Sequence, residues 1–556
     1  MVSTSIFPIS IPTLPPATPE TSTDFGNILP TEIWIHIFSY LSAYEIKHLE
    51  SVHRVCYGLS QARKWRTLQL GYFDEMGVPP NDMVEGCLED PVLAGHVRHL
   101  LIQEWSRSHW RRSITSRGRL SLWTKTHIKL PVKRSQHIWK SKDALVDGDL
   151  EVISHLTHGL KEMTINLSGP PDGQPYLQKP SRHREIFYEQ LFTLLAHGSL
   201  TPNPTTQRTT FRFRSLTLKV QSHHLPLIAN WFNLGLGIFD ELEQLSLYID
   251  LSTKDDPHSL LPQPNNQTVE RDTRIILGHL RKSIRHLLIC DASAYQMPGF
   301  VGALGHFPKL TSLDLACSFT YLGHINFLMR HRETLEHFCL QSISMADAIK
   351  IISNPPDLGS TSSPFPRLST LALSFQDLTN FDTTQHIPFR NKFLRRLSTF
   401  SNTLTTLVLD MPFHMLVYED VRVLAKSLCR SGGGALLKRL KIVIAELSPE
   451  MIDLFSECLN QLAVLDMTFD ILLGSKNRAA YSTPVFWEVM DTRCYLKWTS
   501  LRCVDVAWRN SPAGRLGQSP NAPRRLIQLL GWKIPSICEF GPIDWSDVGG
   551  CWKGDS

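Results

Sequence analysis

Chemistry in this chain would have to come first from its 23 histidines and 11 cysteines, the side chains best able to ligate a metal, move a proton near neutral pH or attack a substrate. Their spacing speaks against all three. The cysteines run from Cys56 to Cys551 without a CxxC pair, which removes the zinc ribbon and the dithiol redox motif. An odd count without framework spacing fits reduced thiols in the cytosol or nucleus. His331 and His337 flank a helical segment, yet a separation of six residues puts them on different sides of a helix. No HExxH, GxSxG or phosphate-cradling glycine loop occurs. The glycine-rich fragments "LGLG" at 234–237 and "SGGGA" at 431–435 read as a turn and a helix stop. No catalytic residue, metal or cofactor is expected.

A second kind of chemistry is electrostatic. Between Arg107 and Lys142 stand eleven Lys or Arg and no Asp or Glu, with Trp110, Trp123 and Trp139 interleaved. The whole chain carries +5, so the remainder is net −6 and the basic character is local. Such a segment attracts nucleic acid, anionic lipid or an acidic protein segment. It equally fits a long solvated insertion, because the repeat copies on either side of it start 63 residues apart. Defined nucleic-acid motifs are absent.

The elements that must position any site fall into two kinds. Near the N-terminus, Ile33, Ile37 and Leu41 recur every four residues beside Trp34 and Phe38, making one wide apolar helix face. Pro30 suits the first turn. Ser42-Ala43-Tyr44-Glu45 is a capping-box pattern, after which Ile46, Leu49, Val52, Cys56 and Leu59 follow at helical spacing, and the unit ends near Trp65 and Leu68. About 40 residues bury too little surface to fold alone with ease, so a partner or the rest of the chain is expected to cover one side.

From Val97 onward an apolar triplet spaced L-x-x-L-x-L recurs. Clear copies are Leu242/Leu245/Leu247, Leu310/Leu313/Leu315, Leu335/Phe338/Leu340, Leu368/Leu371/Leu373, Leu404/Leu407/Leu409, Leu437/Leu440/Ile442 and Leu462/Leu465/Met467, with weaker ones starting at Val97, Leu160, Phe213, Ile284 and Leu501. The last two apolar positions alternate with polar ones, as on one face of a short strand. Segments before several copies, such as "YEDVRVLAKSLCR" and "SPEMIDLFSECLNQL" with Ser448 as N-cap and Pro449 first in the helix, read as helices. Helix, turn and strand in each unit predict an irregular leucine-rich-repeat-like α/β solenoid, its strands stacked in parallel on the concave side. The starts from Phe213 to Leu501 differ by 25 to 42 residues, and the N/C ladder residue of regular repeats is mostly missing.

The stretch "ILPTEIWIHIFSYLSAYEIKHLESVHRVCYGLSQARKWRTL" resembles the F-box, through Leu29-Pro30, Glu32-Ile33, Ile37-Phe38, Leu41-Ser42, Glu45-Ile46, Leu49, Val52, Val55-Cys56 and Trp65 in matching order and spacing. With the repeats downstream, the chain resembles F-box/leucine-rich-repeat proteins of the divergent fungal kind. The resemblance implies a three-helix F-box docking on the Skp adaptor, which links it to a cullin and a RING protein. The adaptor contacts it implies are Leu29, Pro30, Ile33, Trp34, Ile37, Phe38, Leu41, Ile46, Leu49 and Val52. Sequence does not divide these between the interface and the helices' own packing.

The expected organisation is a disordered Ser/Thr/Pro-rich tail over 1–26, the F-box over 27–70, a linker over 71–96, the repeat domain over 97–546 with the basic insertion 107–142, and a C-terminal tail over 547–556. The first 24 residues hold 14 Ser, Thr or Pro, and the first Lys or Arg is Lys47, so neither a secretory signal nor a presequence is expected. No membrane span is expected either, since the longest uncharged run, Gln221 to Phe239, contains a proline, two asparagines and two histidines. The function implied is a non-catalytic substrate receptor of a ubiquitin ligase, in the cytoplasm or nucleus, that holds an unknown target for ubiquitination and proteasomal degradation. Target contacts would come from outward strand positions: Thr311, Ser312, Asp314, Glu336, His337, Thr405, Thr406, Lys438, Arg439 and Lys441. The alternatives are an F-box scaffold that presents no substrate, or a protein that binds nucleic acid or anionic membrane through 107–142.

Overall fold

The computed structural model describes residues 31–41, 43–49, 54–64, 66–72, 95–104, 160–167, 212–221, 224–234, 239–250, 266–291, 304–316, 321–343, 348, 365–375, 386–397, 402–411, 415–430, 432, 434, 436–474, 483–495, 498–508 and 522–540. The expected tails, the basic insertion, Leu29, Pro30 and Val52 lie outside them. Helices α1 (Thr31–Ser39), α2 (Ala43–Leu49) and α3 (Arg54–Lys64) come first, and β1 (Thr67–Tyr72) follows directly. Then come β2 (His99–Glu104), β3 (Glu162–Asn166), β4 (Ser215–Gln221), α4 (Leu225–Leu234), β5 (Gln244–Asp250), α5 (Asn266–Leu280), β6 (His286–Asp291) and β7 (Ser312–Ala316). They are followed by α6 (Tyr321–Arg330), β8 (His337–Ile343), β9 (Thr370–Phe375), α7 (His386–Leu397), β10 (Thr406–Asp410), α8 (Tyr418–Arg430) and β11 (Arg439–Leu447). The last elements are α9 (Pro449–Cys458), β12 (Val464–Leu472), α10 (Thr483–Thr492), β13 (Cys503–Trp508), α11 (Ala522–Lys533) and β14 (Glu539–Phe540).

Among the described residues the fourteen strands form one parallel sheet in chain order. Its register is that of the sequence repeat: Leu216 pairs with Leu245, Leu245 with Leu287, Leu287 with Leu313, Leu313 with Phe338 and Phe338 with Leu371. Each unit thus lays its two strand leucines beside those of its neighbours, and with the helices' apolar faces they bury in one continuous core running from Leu68 to Ile537. Full burial of one such side chain contributes about 1.5–3 kcal/mol. A backbone ladder joins the units before the strands start. From Arg66 to Arg502, the carbonyl after each unit's first apolar residue accepts both of the next unit's leading N–H groups; Glu336 O, for example, accepts Ser369 N at 2.8 Å and Thr370 N at 3.0 Å. Parallel strands lie about 4.8 Å apart while packed helices need about 8–10 Å, a mismatch that favours strands on the inner side of such a stack.

Side-chain hydroxyls add to this ladder, some on carbonyls that already accept two N–H groups. Thr311, Ser369 and Thr405 donate to Arg285 O, Glu336 O and Ser369 O, and Thr403, Ser500 and Ser536 donate to Leu368 O, Leu462 O and Leu501 O.

Three expectations need correction. The repeat sheet begins at Thr67, not Val97: Leu68, expected at the end of the helical unit, pairs with Leu100 and is buried in the main core. The overlooked signal is Trp65-x-x-Leu68-x-Leu70, one more copy of the triplet placed directly behind a helix. The apolar run from Ile46 to Leu59 belongs to two helices rather than one. Ile46 and Cys56 share a buried cluster with Phe38, whereas on one straight helix they would stand about 15 Å apart along the axis. Finally, Ser448 is the backbone N-cap of α9 with Pro449 first in the helix, but its hydroxyl makes no capping bond. The helix stop in "SGGGA" is present: Gly432, at φ 78°, donates its N–H to Cys429 O, a backbone angle that only glycine adopts freely.

Candidate functional site

Two surfaces are candidates. The first is the three-helix unit, where burial divides the side chains that sequence left together. Phe38, Ile46 and Cys56 are the buried centre, with Trp34, Leu41, Leu49 and Leu59 packed around them. Burial pushes the Cys56 thiol up from its ordinary range. Ile33 and Ile37, by contrast, are 45% and 39% exposed. They lie one turn apart on α1, and Tyr40, at 76% exposed, continues the same line three residues further on. The Tyr40 ring stands edge-on to His36 at 5.0 Å between centroids, with a 3.4 Å contact from its hydroxyl to His36 Nε2. Tyr57 on α3 is also exposed. The two tyrosines were not foreseen as contacts, though the spacing of Ile33, Ile37 and Tyr40 at i, i+4 and i+7 was available to find the first.

The second surface is the sheet face opposite the helices. The residues expected to meet a target fall into three rows across β7–β11. Thr311, Glu336, Thr405 and Lys438 lie on the ladder row just before the strands, with Ser369 completing it. Ser312, His337, Thr406 and Arg439 lie on the next row, joined by Thr370 in direct register. Asp314 and Lys441 are the two ends of a third row, separated by Cys339, Ala372 and Val408.

These positions are not equally available. Asp314 and Thr406 are buried, at 5% and 6% exposed, which removes them from an outward contact surface. The Thr311 and Thr405 hydroxyls are engaged in the ladder. Lys441 Nζ stands 3.5 Å from Asp466 Oδ2 on β12. Lys438 is exposed, and Ser312, Glu336, His337 and Arg439 are half-buried. Cys339, Ala372 and Val408, with Val464 against them, form a small apolar cluster separate from the main core. Its sequence signal is an apolar residue between the two strand leucines, in "FCL", "LAL" and "LVL".

Two of the histidines, His331 and His99, tie neighbouring units together. His331 is fully buried; its Nε2 accepts Phe307 N–H at 2.9 Å and its Nδ1 donates to Phe327 O at 2.8 Å. An acceptor at Nε2 requires the neutral ring, and burial holds the imidazolium's pKa down at about 4. His337 opens β8 and is half-buried; turn residues rather than a helix follow His331, so the helical spacing expected to separate the two does not apply. His99 bridges the Thr67 and Thr164 hydroxyls across three strands, and burial lowers its pKa. Burial, and next the neighbouring His337, also lower that of His286. Among the described residues no group of three or more His, Cys, Asp or Glu is placed to hold a metal ion, and no helix is long and apolar enough to cross a membrane. No protein-family model matches the chain, and no curated protein matches it.

Proposed function

We propose that the chain is the substrate-receptor subunit of a Skp-cullin-F-box ubiquitin ligase, with α1–α3 as the F-box and the parallel-sheet solenoid as the target-binding domain. The observation that carries this reading is the line of Ile33 and Ile37 on α1 with Tyr40 just past its end, exposed beside a small unit that has already packed Phe38, Ile46 and Cys56 inward. Two exposed isoleucines on a nine-residue helix, continued by Tyr40, suit a permanent partner better than water. The F-box resemblance names the Skp adaptor as that partner. The stacked strands supply a long row of polar positions for a target. Holding the target on the ligase raises its effective concentration at the ubiquitin thioester, and no catalytic side chain of this chain takes part.

The test is an affinity capture of the tagged full-length chain beside an Ile33→Ala/Ile37→Ala variant under proteasome inhibition, with mass spectrometry of what is retained. Adaptor and cullin on the wild type and neither on the folded variant is the expected result. Adaptor without cullin would favour the scaffold reading. Equal recovery of adaptor by both forms would remove this face as its docking site.

A further inference from the structure

Helices α8 and α9 belong to neighbouring units and pack side by side. Cys429 is the penultimate residue of α8 and Cys458 the last residue of α9. Gly434, in the turn after α8, sits between them: a Cβ there would lie 2.4 Å from the Cys458 carbonyl oxygen and 3.3 Å from the Cys429 Cα. Only a bare glycine lets the two cysteine backbones come this close. The two thiols are near enough to influence one another, and both are free, with Cys429 exposed and Cys458 half-buried. Neither belongs to the surfaces described above.

We propose that Cys429 and Cys458 are a peroxide-responsive thiol pair that closes to a disulfide and staples α8 to α9. The Cys429 sulfur attacks the O–O bond of hydrogen peroxide, becoming a sulfenic acid as one water leaves. The Cys458 sulfur then attacks the Cys429 sulfur; the S–O bond breaks, and the hydroxide departs with the Cys458 proton as a second water. Two thiols lose two hydrogens and two electrons, and one peroxide is reduced to two waters. Exposure assigns the first step to Cys429. Burial, and then the adjacent Cys429 and Glu457, push the Cys458 thiol up, which keeps it from reacting first with peroxide and leaves it to attack Cys429 in the second step, losing its proton as it does so. Helix α8 leads into β11 and α9 into β12, so the staple would tie together the units that carry Arg439, Lys441 and Asp466. The proposal does not depend on the ubiquitin-ligase reading.

The full-length protein, purified reduced and exposed to hydrogen peroxide, is digested without reductant and read by mass spectrometry. The expected product joins the Cys429 and Cys458 peptides, two hydrogens lighter than the separate thiols, and is reversed by dithiothreitol. Dimedone, which traps sulfenic acids, should label Cys429 in Cys458→Ser and lose most of that label in the wild type. Because the joined peptides are read on the wild-type chain, a misfolded variant leaves that readout intact. Unjoined Cys429 and Cys458 after peroxide, joining of either to a different cysteine, or equal dimedone labelling of Cys429 in wild type and Cys458→Ser would overturn the assignment.

Discussion

Truncating Ile33 and Ile37 together to alanine should weaken binding of the Skp adaptor without unfolding the helices that carry them. Full burial of an isoleucine is worth about 1.5–3 kcal/mol. With 45% and 39% of the two side chains still exposed, a partner that covers them has that fraction left to gain. The pair is therefore worth roughly 1.2–2.5 kcal/mol, a loss of about 7- to 60-fold in affinity. Phe38→Ala is the contrasting change. Phe38 is buried in the centre of the unit, and emptying that space costs about 3–5 kcal/mol, more than a unit of this size can spare. Calorimetric titration of purified adaptor into the full chain measures the first effect, and far-UV circular dichroism with limited proteolysis of residues 31–64 separates it from the second. If Ile33→Ala/Ile37→Ala bound the adaptor within about twofold of wild type with the helices intact, the exposed line on α1 would not be the interface, and the division of side chains by burial would have failed.

Three further outcomes follow from the packing. His331 is held neutral, with a folded pKa of about 4 against the 6.5 of the free side chain, so the unfolded chain binds more protons between those values. Its contribution is full above pH 6.5 and is lost as the pH falls toward 4; from pH 7 to pH 5 the loss is about 2 kcal/mol. Denaturant titrations at both pH values should show that difference shrinking in His331→Phe, and an unchanged difference would mean that the ring titrates normally. Gly434→Ala should destabilise by about 1–3 kcal/mol, because its Cβ meets backbone atoms, whereas Gly278→Ala in α5, with nothing within 4 Å, should stabilise by about 0.5–1 kcal/mol; melting temperatures that move in the same direction would contradict the packing. Tyr495 donates to Asp453 Oδ1 at 2.8 Å while Arg493 holds Oδ2 at 2.9 Å, and Tyr495→Phe should cost about 1.5–3 kcal/mol as a hydrogen bond to a charged group, measured by the same denaturant titration.

The strands were legible one at a time because the L-x-L spacing is the pleat's own period of two, and every copy read from the sequence has its last two apolar positions in a strand. Helix α8 coincides with the segment "YEDVRVLAKSLCR" read as helical, since its apolar residues keep the 3.6-residue period without interruption. The pairing in chain order also followed from the repeat, even across very unequal connections. Leu100 and Met163 are 63 residues apart and Leu440 and Leu465 only 25, yet both pairs sit in the same register, because the cost of closing a loop grows only with the logarithm of its length. The fate of individual apolar side chains, by contrast, was undecided. Ile33, Ile37 and Phe38 share one helix pattern, and only the packing of α2 and α3 buries the last and leaves the first two exposed. Thr311 and Thr405 looked like free surface hydroxyls until the stacking brought a neighbour's carbonyl within reach. Periodicity is a property of one segment and can be read from it. Burial and the hydrogen-bond partners of single side chains depend on how the segments pack, and the tertiary structure alone decides that.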